Sequence, residues 1–164
     1  MTESKTEDKI FIFGYGSLMY PAGINGRGMR KIYSWKDLEP TYLNNYERGW
    51  YAVYQNRYLF YGIIPKTGSR LNGVLFRVHS KSDLLALNES ELTGKVYQLK
   101  DVTNEVETNR IGKIKTYVTL PKALPKNNKR YRKYPGYQND VITGIEHWGK
   151  EFVEEFEKTT KSRN

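Results

Sequence analysis

The sequence predicts an α+β fold in one domain, and three features carry that expectation. The chain opens on an uninterrupted apolar run, Ile10-Phe11-Ile12-Phe13, which stops at a glycine-flanked turn, Gly14-Tyr15-Gly16-Ser17-Leu18. Between Thr41 and Val78 lies a succession of segments rich in β-branched and aromatic residues, separated by turn formers. Two later stretches carry helical spacing, a short one at Asp83 to Leu92 and an amphipathic one from Asp140 to about Lys158.

A chain of 164 residues is long enough for one continuous core. Residues 10–160 are expected to form the single domain, and the polar, mixed-charge residues 1–9 read as a frayed leader and not as a secretory or transit signal. No apolar run approaches the roughly 20 residues that a membrane span needs. Cysteine is absent, which removes disulfides and thiol nucleophiles and fits a reducing, cytoplasmic compartment. With only His79 and His147 present, no metal site is expected. The net charge of +9 is concentrated late, at Lys122 and from Lys126 to Tyr134. That concentration reads as a solvated basic loop, and with no groove-reading or stacking motif a nucleic acid partner is not expected.

Taken in order, Phe11, Ile12 and Phe13 suit a strand covered on both faces. Gly14 and Gly16 give the following turn freedom to adopt positive φ and leave no side chain in the way, so its amides can converge on an anion or a developing oxyanion. The same pattern also describes a plain strand-ending turn. Tyr20 to Gly28 is too rich in glycine for a regular element and reads as a loop beside that turn. Trp50 to Tyr54 and Arg57 to Ile64 read as a hairpin with Gln55-Asn56 at its tip, closed by the breakers Pro65 to Ser69. Leu71 to Val78 reads as a further strand in which Gly73 marks a bulge or a close backbone approach.

Ser80 to Asp83 supplies N-cap chemistry for the short helix, which is expected to end near Gly94. On a helical wheel Leu84, Leu85, Leu87 and Leu92 define its apolar face, with Asn88 near the centre, Glu91 inside the edge and Glu89 further out. A carboxylate at the position of Glu91 loses water, so its pKa rises toward the range useful for proton transfer. The same position would equally serve a carboxylate that caps a neighbouring strand or pairs with an arginine. Tyr97 to Val102 and Lys113 to Leu120 alternate and read as strands, and the final stretch reads as a terminal helix packed on the sheet.

A strand leading into Tyr15-Gly16-Ser17-Leu18, the segment Leu71-Asn72-Gly73-Val74-Leu75-Phe76-Arg77-Val78, and Leu87-Asn88-Glu89-Ser90-Glu91 followed by Tyr97 together resemble the γ-glutamylcyclotransferase family, which includes the plant avirulence-induced-gene-like proteins. The order and spacing match over roughly residues 10 to 120. The resemblance implies a small mixed β-barrel flanked by short helices and a cofactor-independent cyclisation of a γ-glutamyl compound to pyroglutamate. It implies Glu91 as the catalytic acid/base, and Tyr15, Gly16, Ser17, Leu18, Tyr97 and Tyr137 as substrate contacts. The chain departs from the family at Asn88, where aspartate is usual, and the basic loop from Lys126 to Lys133 has no counterpart. A second reading keeps the fold and uses the glycine turn and the basic loop to bind another small molecule or a nucleotide without catalysis.

Overall fold

The computed structural model describes residues 9–162, so the leader expected over residues 1–9 lies almost wholly outside the described residues. Strand β1 (Ile10–Gly14) is followed by a 3-10 turn (Ser17–Met19), a four-residue helix α1 (Pro21–Ile24) and a second 3-10 turn (Trp35–Asp37). Two long strands, β2 (Glu39–Tyr54) and β3 (Tyr58–Val78), then form a hairpin, and helix α2 (Lys81–Ser90) leads to β4 (Tyr97–Asp101) and β5 (Lys113–Thr119). A two-residue strand β6 (Arg132–Lys133), helices α3 (Tyr137–Ile145) and α4 (Lys150–Lys158), and β7 (Thr160–Lys161) complete the described chain.

The sheet runs in the order β4-β5-β1-β3-β2-β7, with β6 attached to β3. β1 sits in its middle, antiparallel to β3 and parallel to β5. That position explains its unbroken apolar sequence: Phe11, Ile12 and Phe13 are all buried, where a strand covered on one face would alternate. The hydrogen-bonded path is open at β4 and β7, yet its ends curl together as a small barrel would. Residues between β4 and β5 lie along β2, with Asn44 N donating to Glu105 O (2.8 Å) and Glu107 N to Tyr42 O (3.1 Å). At the other end Ala52 of β2, Val96 and Ala123 share a buried cluster.

The hairpin turns at Gln55 and Asn56, both left-handed at φ 54° and 56°, as the sequence suggests. The breakers Pro65 to Ser69 do interrupt pairing, because the ladder steps from Tyr46 opposite Pro65 to Asn44 opposite Arg70. They do not end the strand, however. Asn45 bulges with φ 69° and its Oδ1 accepts from Gly68 N, and β3 then resumes on the same partner, so Leu71 to Val78 is the second half of β3. The close approach at Gly73 is real: a Cβ there would lie 2.4 Å from both Gly14 O and the Phe13 ring.

Two helical expectations need correcting. Helix α2 is capped by Ser80, whose Oγ accepts from Asp83 N, but it stops at Ser90, with Leu92 left-handed (φ 54°), and Leu85 is exposed. The terminal helix is two helices, because Gly149 at φ 101° breaks the backbone between α3 and α4 while the apolar periodicity runs on through the break.

Candidate functional site

The site begins where β1 ends. Neither Gly14 nor Gly16 takes a positive φ, so of the two reasons the sequence suggests for glycine here only the second, the missing side chain, holds. It is steric: a Cβ on Gly14 would lie 2.2 Å from Leu18 O, and one on Gly16 would lie 2.8 Å from the Tyr137 hydroxyl. Beneath the turn lies Arg48, fully buried on β2. Its guanidinium donates to Tyr15 O (3.2 Å), Asn72 O (2.7 Å), Asn72 Oδ1 (2.9 Å), Phe156 O (3.3 Å), Thr159 Oγ1 (2.9 Å) and Thr160 Oγ1 (2.8 Å). Burial pulls its pKa down to about 9, which leaves it charged at neutral pH. By drawing the Tyr15 carbonyl inward, Arg48 turns the N–H of the same trans peptide, which belongs to Gly16, the opposite way.

Helix α2 is tied to this turn through Tyr117 of β5. The Tyr117 hydroxyl donates to Asn88 Oδ1 (2.7 Å), and the Tyr117 carbonyl accepts from the Tyr15 hydroxyl (2.5 Å). Asn88 therefore works as a strut between helix and sheet. One position past the helix, Glu91 turns its carboxylate inward, with a side chain only 16% exposed. Glu89 stays exposed. Burial raises the Glu91 pKa, and the charge and hydrogen bond of Arg27 oppose the rise without cancelling it.

Arg27 comes from the glycine-rich loop and crosses the site. Nη1 donates to Glu91 Oε2 (2.5 Å) and Ser90 Oγ (3.2 Å), Nη2 to Ser17 Oγ (2.9 Å), and Nε to Gly23 O (2.7 Å). It therefore joins the turn to the carboxylate. The loop that carries it is pinned by the buried Asp83 of α2, whose carboxylate accepts from the amides of Arg30 (2.8 Å) and Lys31 (3.3 Å).

A cavity of about 280 Å³ opens here, with Ser17, Arg27, Glu91, Tyr97 and Tyr137 among its polar lining and Tyr54, Phe60, Leu92 and Val96 forming a more apolar wall. Tyr97 donates to Tyr61 O (2.7 Å). The Tyr137 ring packs against Phe60 (4.8 Å), Tyr61 (5.2 Å) and Trp50 (6.2 Å between centroids). Burial, and secondarily neighbouring charges that include Glu91, push the phenol pKa values of Tyr15, Tyr97 and Tyr137 upward. All three are neutral hydroxyls at neutral pH.

Of the residues singled out from the sequence, Ser17, Glu91, Tyr97 and Tyr137 line this one cavity. Tyr15 and Gly16 form the buried turn behind it, and Leu18, 4% exposed, packs into the core. The basic loop is exposed at Lys126 to Arg130, and β6 at its end pairs with β3 two residues before Phe60, with Lys133 over the Trp50 ring. Sequence reasoning missed Arg27, Arg48 and Tyr117. An arginine inside the loop beside the turn was the available signal for Arg27.

The family model described as γ-glutamyl cyclotransferase, AIG2-like, matches residues 12–138. No curated protein sequence matches the chain. Among solved structures, a γ-glutamyl cyclotransferase superposes with a TM-score of 0.65 at 16% identity, covering 96% of this chain and 90% of the other. A human protein gives 0.64 at 18% identity, with 96% and 91% covered. A yeast γ-glutamyl cyclotransferase specific to glutathione gives 0.56 at 13% identity, with 93% and 95% covered. At identities this low the likeness is one of fold.

Proposed function

Because the chain belongs to the γ-glutamyl cyclotransferase, AIG2-like family, we propose that its cavity converts a γ-glutamyl amide to pyroglutamate and a free amine. One observation carries this reading: a carboxylate with a raised pKa, Glu91, shares a cavity with Ser17 of the glycine turn and with the neutral hydroxyls of Tyr97 and Tyr137.

In this reading Glu91 takes a proton from the substrate's α-ammonium, and the freed amine attacks the γ-carbonyl carbon. A C–N bond forms and negative charge moves to the carbonyl oxygen. Amides of the Gly16-Ser17 turn, aimed by the pull of Arg48 on the Tyr15 carbonyl, donate to that oxygen. Glu91 hands its proton to the departing nitrogen as the old C–N bond breaks, then takes one from the ring nitrogen and passes it to the amine. The products are a lactam and an ammonium, and the carboxylate is restored. Arg27 opposes the rise that burial causes and so favours the ionised form, which acts as base first and, once protonated, as acid. The aromatic wall holds the substrate folded, which matters because ring closure is chiefly a question of conformation.

The test is a panel of γ-glutamyl amines and γ-glutamyl dipeptides incubated with the purified protein, with pyroglutamate as the readout. Pyroglutamate formation from at least one member is expected. Its absence across the panel would overturn the reading.

A further inference from the structure

A second cavity, of about 230 Å³, lies on the sheet where β1 meets the end of β3, and shares no lining residue with the first. Phe11, Leu75 and Phe76 form its floor, and Lys36, Arg77, His79 and Arg110 bring basic groups to it. Arg77 stands directly opposite Phe11 in the β1–β3 register.

The cavity's positive charge is poorly compensated. Arg110 is taken up by Glu39 (3.0 Å). The only carboxylate in the lining, Asp37, accepts from Ser34 N (2.8 Å) and Ser34 Oγ (3.2 Å) and faces Lys31 Nζ (3.6 Å). Among the described residues no carboxylate pairs with Arg77 or Lys36, and Arg77 Nε is buried with no hydrogen-bond acceptor. A buried donor on a cation is costly to leave without an acceptor. Nε itself is closed to solvent, so the donors that Arg77 offers an occupant are its two Nη nitrogens, which are not buried and have no acceptor among the described residues either.

We propose that this cavity binds a small, multiply charged oxyanion, a phosphate group carried free or as a monoester. The guanidinium of Arg77 offers the planar fork that phosphate oxygens match, Lys36 adds a point charge, and Arg110, paired with Glu39, lines the same cavity. A water takes up about 30 Å³ in the liquid, so this volume equals several waters and exceeds one phosphate. That leaves room for the carbon part of a monoester. His79 reports on the occupant. Partial burial and the charges of Arg77 and Lys31 hold its pKa below the ordinary histidine value, while Asp37 and Asp83 act the other way. A bound dianion among these groups raises it.

The experiment follows the His79 ring resonances by NMR through a pH titration, with and without inorganic phosphate, in sodium chloride of matched ionic strength. The chain has only two histidines, and His147→Gln assigns them. Phosphate is expected to move the His79 midpoint upward saturably, and to raise Tm in the wild type but not in Arg77→Gln or Lys36→Gln. These substitutions remove a cation that has no partner, so the fold is retained. Tighter binding of glycerol phosphate than of inorganic phosphate identifies a monoester as the natural occupant, and the reverse order identifies free phosphate. An effect reproduced by chloride alone, or one of equal size in Arg77→Gln, is nonspecific screening of a chain of charge +9 and overturns the proposal. The readout is independent of pyroglutamate formation, so this inference and the proposed reaction stand or fall separately.

Discussion

The guanidinium of Arg27 lies 2.5 Å from the carboxylate of Glu91, across 64 residues of sequence, and the same side chain reaches Ser17 at 2.9 Å. One cation therefore holds together the two halves of the candidate site. It also opposes the burial that raises the Glu91 pKa.

The sign of its effect on pH dependence follows. Arg27→Gln removes both causes that lower the Glu91 pKa, the charge and the hydrogen bond, so the pKa rises further. Glu91 must be ionised to act as a base, so the acidic limb of the kcat/KM profile moves to higher pH. Because Glu91 also loses its positioning bond, kcat/KM at neutral pH falls by roughly 10- to 100-fold. Arg27→Lys keeps the charge and shifts the limb less. A pH–rate profile for the two variants checks this, and a limb that stays put or moves down contradicts it.

Gly16 and Gly14 are predicted to fail differently. A methyl on Gly16 presses on the end of the Tyr137 side chain, so Gly16→Ala displaces that ring from the cavity wall and lowers kcat/KM by roughly 10-fold with little loss of Tm. Tyr137→Phe in the same background removes the clashing oxygen and restores part of the packing. A methyl on Gly14 meets backbone at Leu18 O, which cannot step aside, so Gly14→Ala costs about 1–3 kcal/mol of stability. Paired kinetics and melting curves separate the two effects.

Arg48 has neutral partners where a buried arginine more often has a carboxylate. Replacing a buried ion pair with apolar groups can be harmless, but here Arg48→Met would strand the carbonyls of Tyr15 and Asn72. The predicted loss is about 2–4 kcal/mol by urea denaturation. Arg48→Lys, with fewer donors in a different geometry, recovers only part of it.

Much of this architecture is legible in the residues. Ile10 to Phe13 declares a central strand because no polar residue interrupts it, and Gln55-Asn56 declares a hairpin tip because it is a polar break between two apolar runs and Asn tolerates left-handed backbone. Glu91 follows from helical spacing even though α2 ends one residue before it, since as the C-cap its backbone (φ −90°, ψ 10°) departs little from the helix and its N–H still bonds Leu87 O. What local pattern cannot show is tertiary. Pro65 to Ser69 looks like the end of a strand because the compensating bulge, Asn45, is some twenty residues away on the partner. The break at Gly149 is hidden because the apolar period continues across it. Arg48 carries no local signature and Arg27 only its place in the loop beside the turn, and their roles exist only once distant segments meet them.

The most direct measurement compares pyroglutamate formation by the wild type, Glu91→Gln and Glu89→Gln, each shown by circular dichroism to be folded. Glu89 is exposed and its variant is predicted to keep near-full activity. Glu91→Gln keeps the shape and an acceptor for Arg27 but cannot take a proton, and a loss of roughly 100- to 10,000-fold is predicted. Wild-type rates in Glu91→Gln, or a comparable loss in Glu89→Gln, would contradict the central claim.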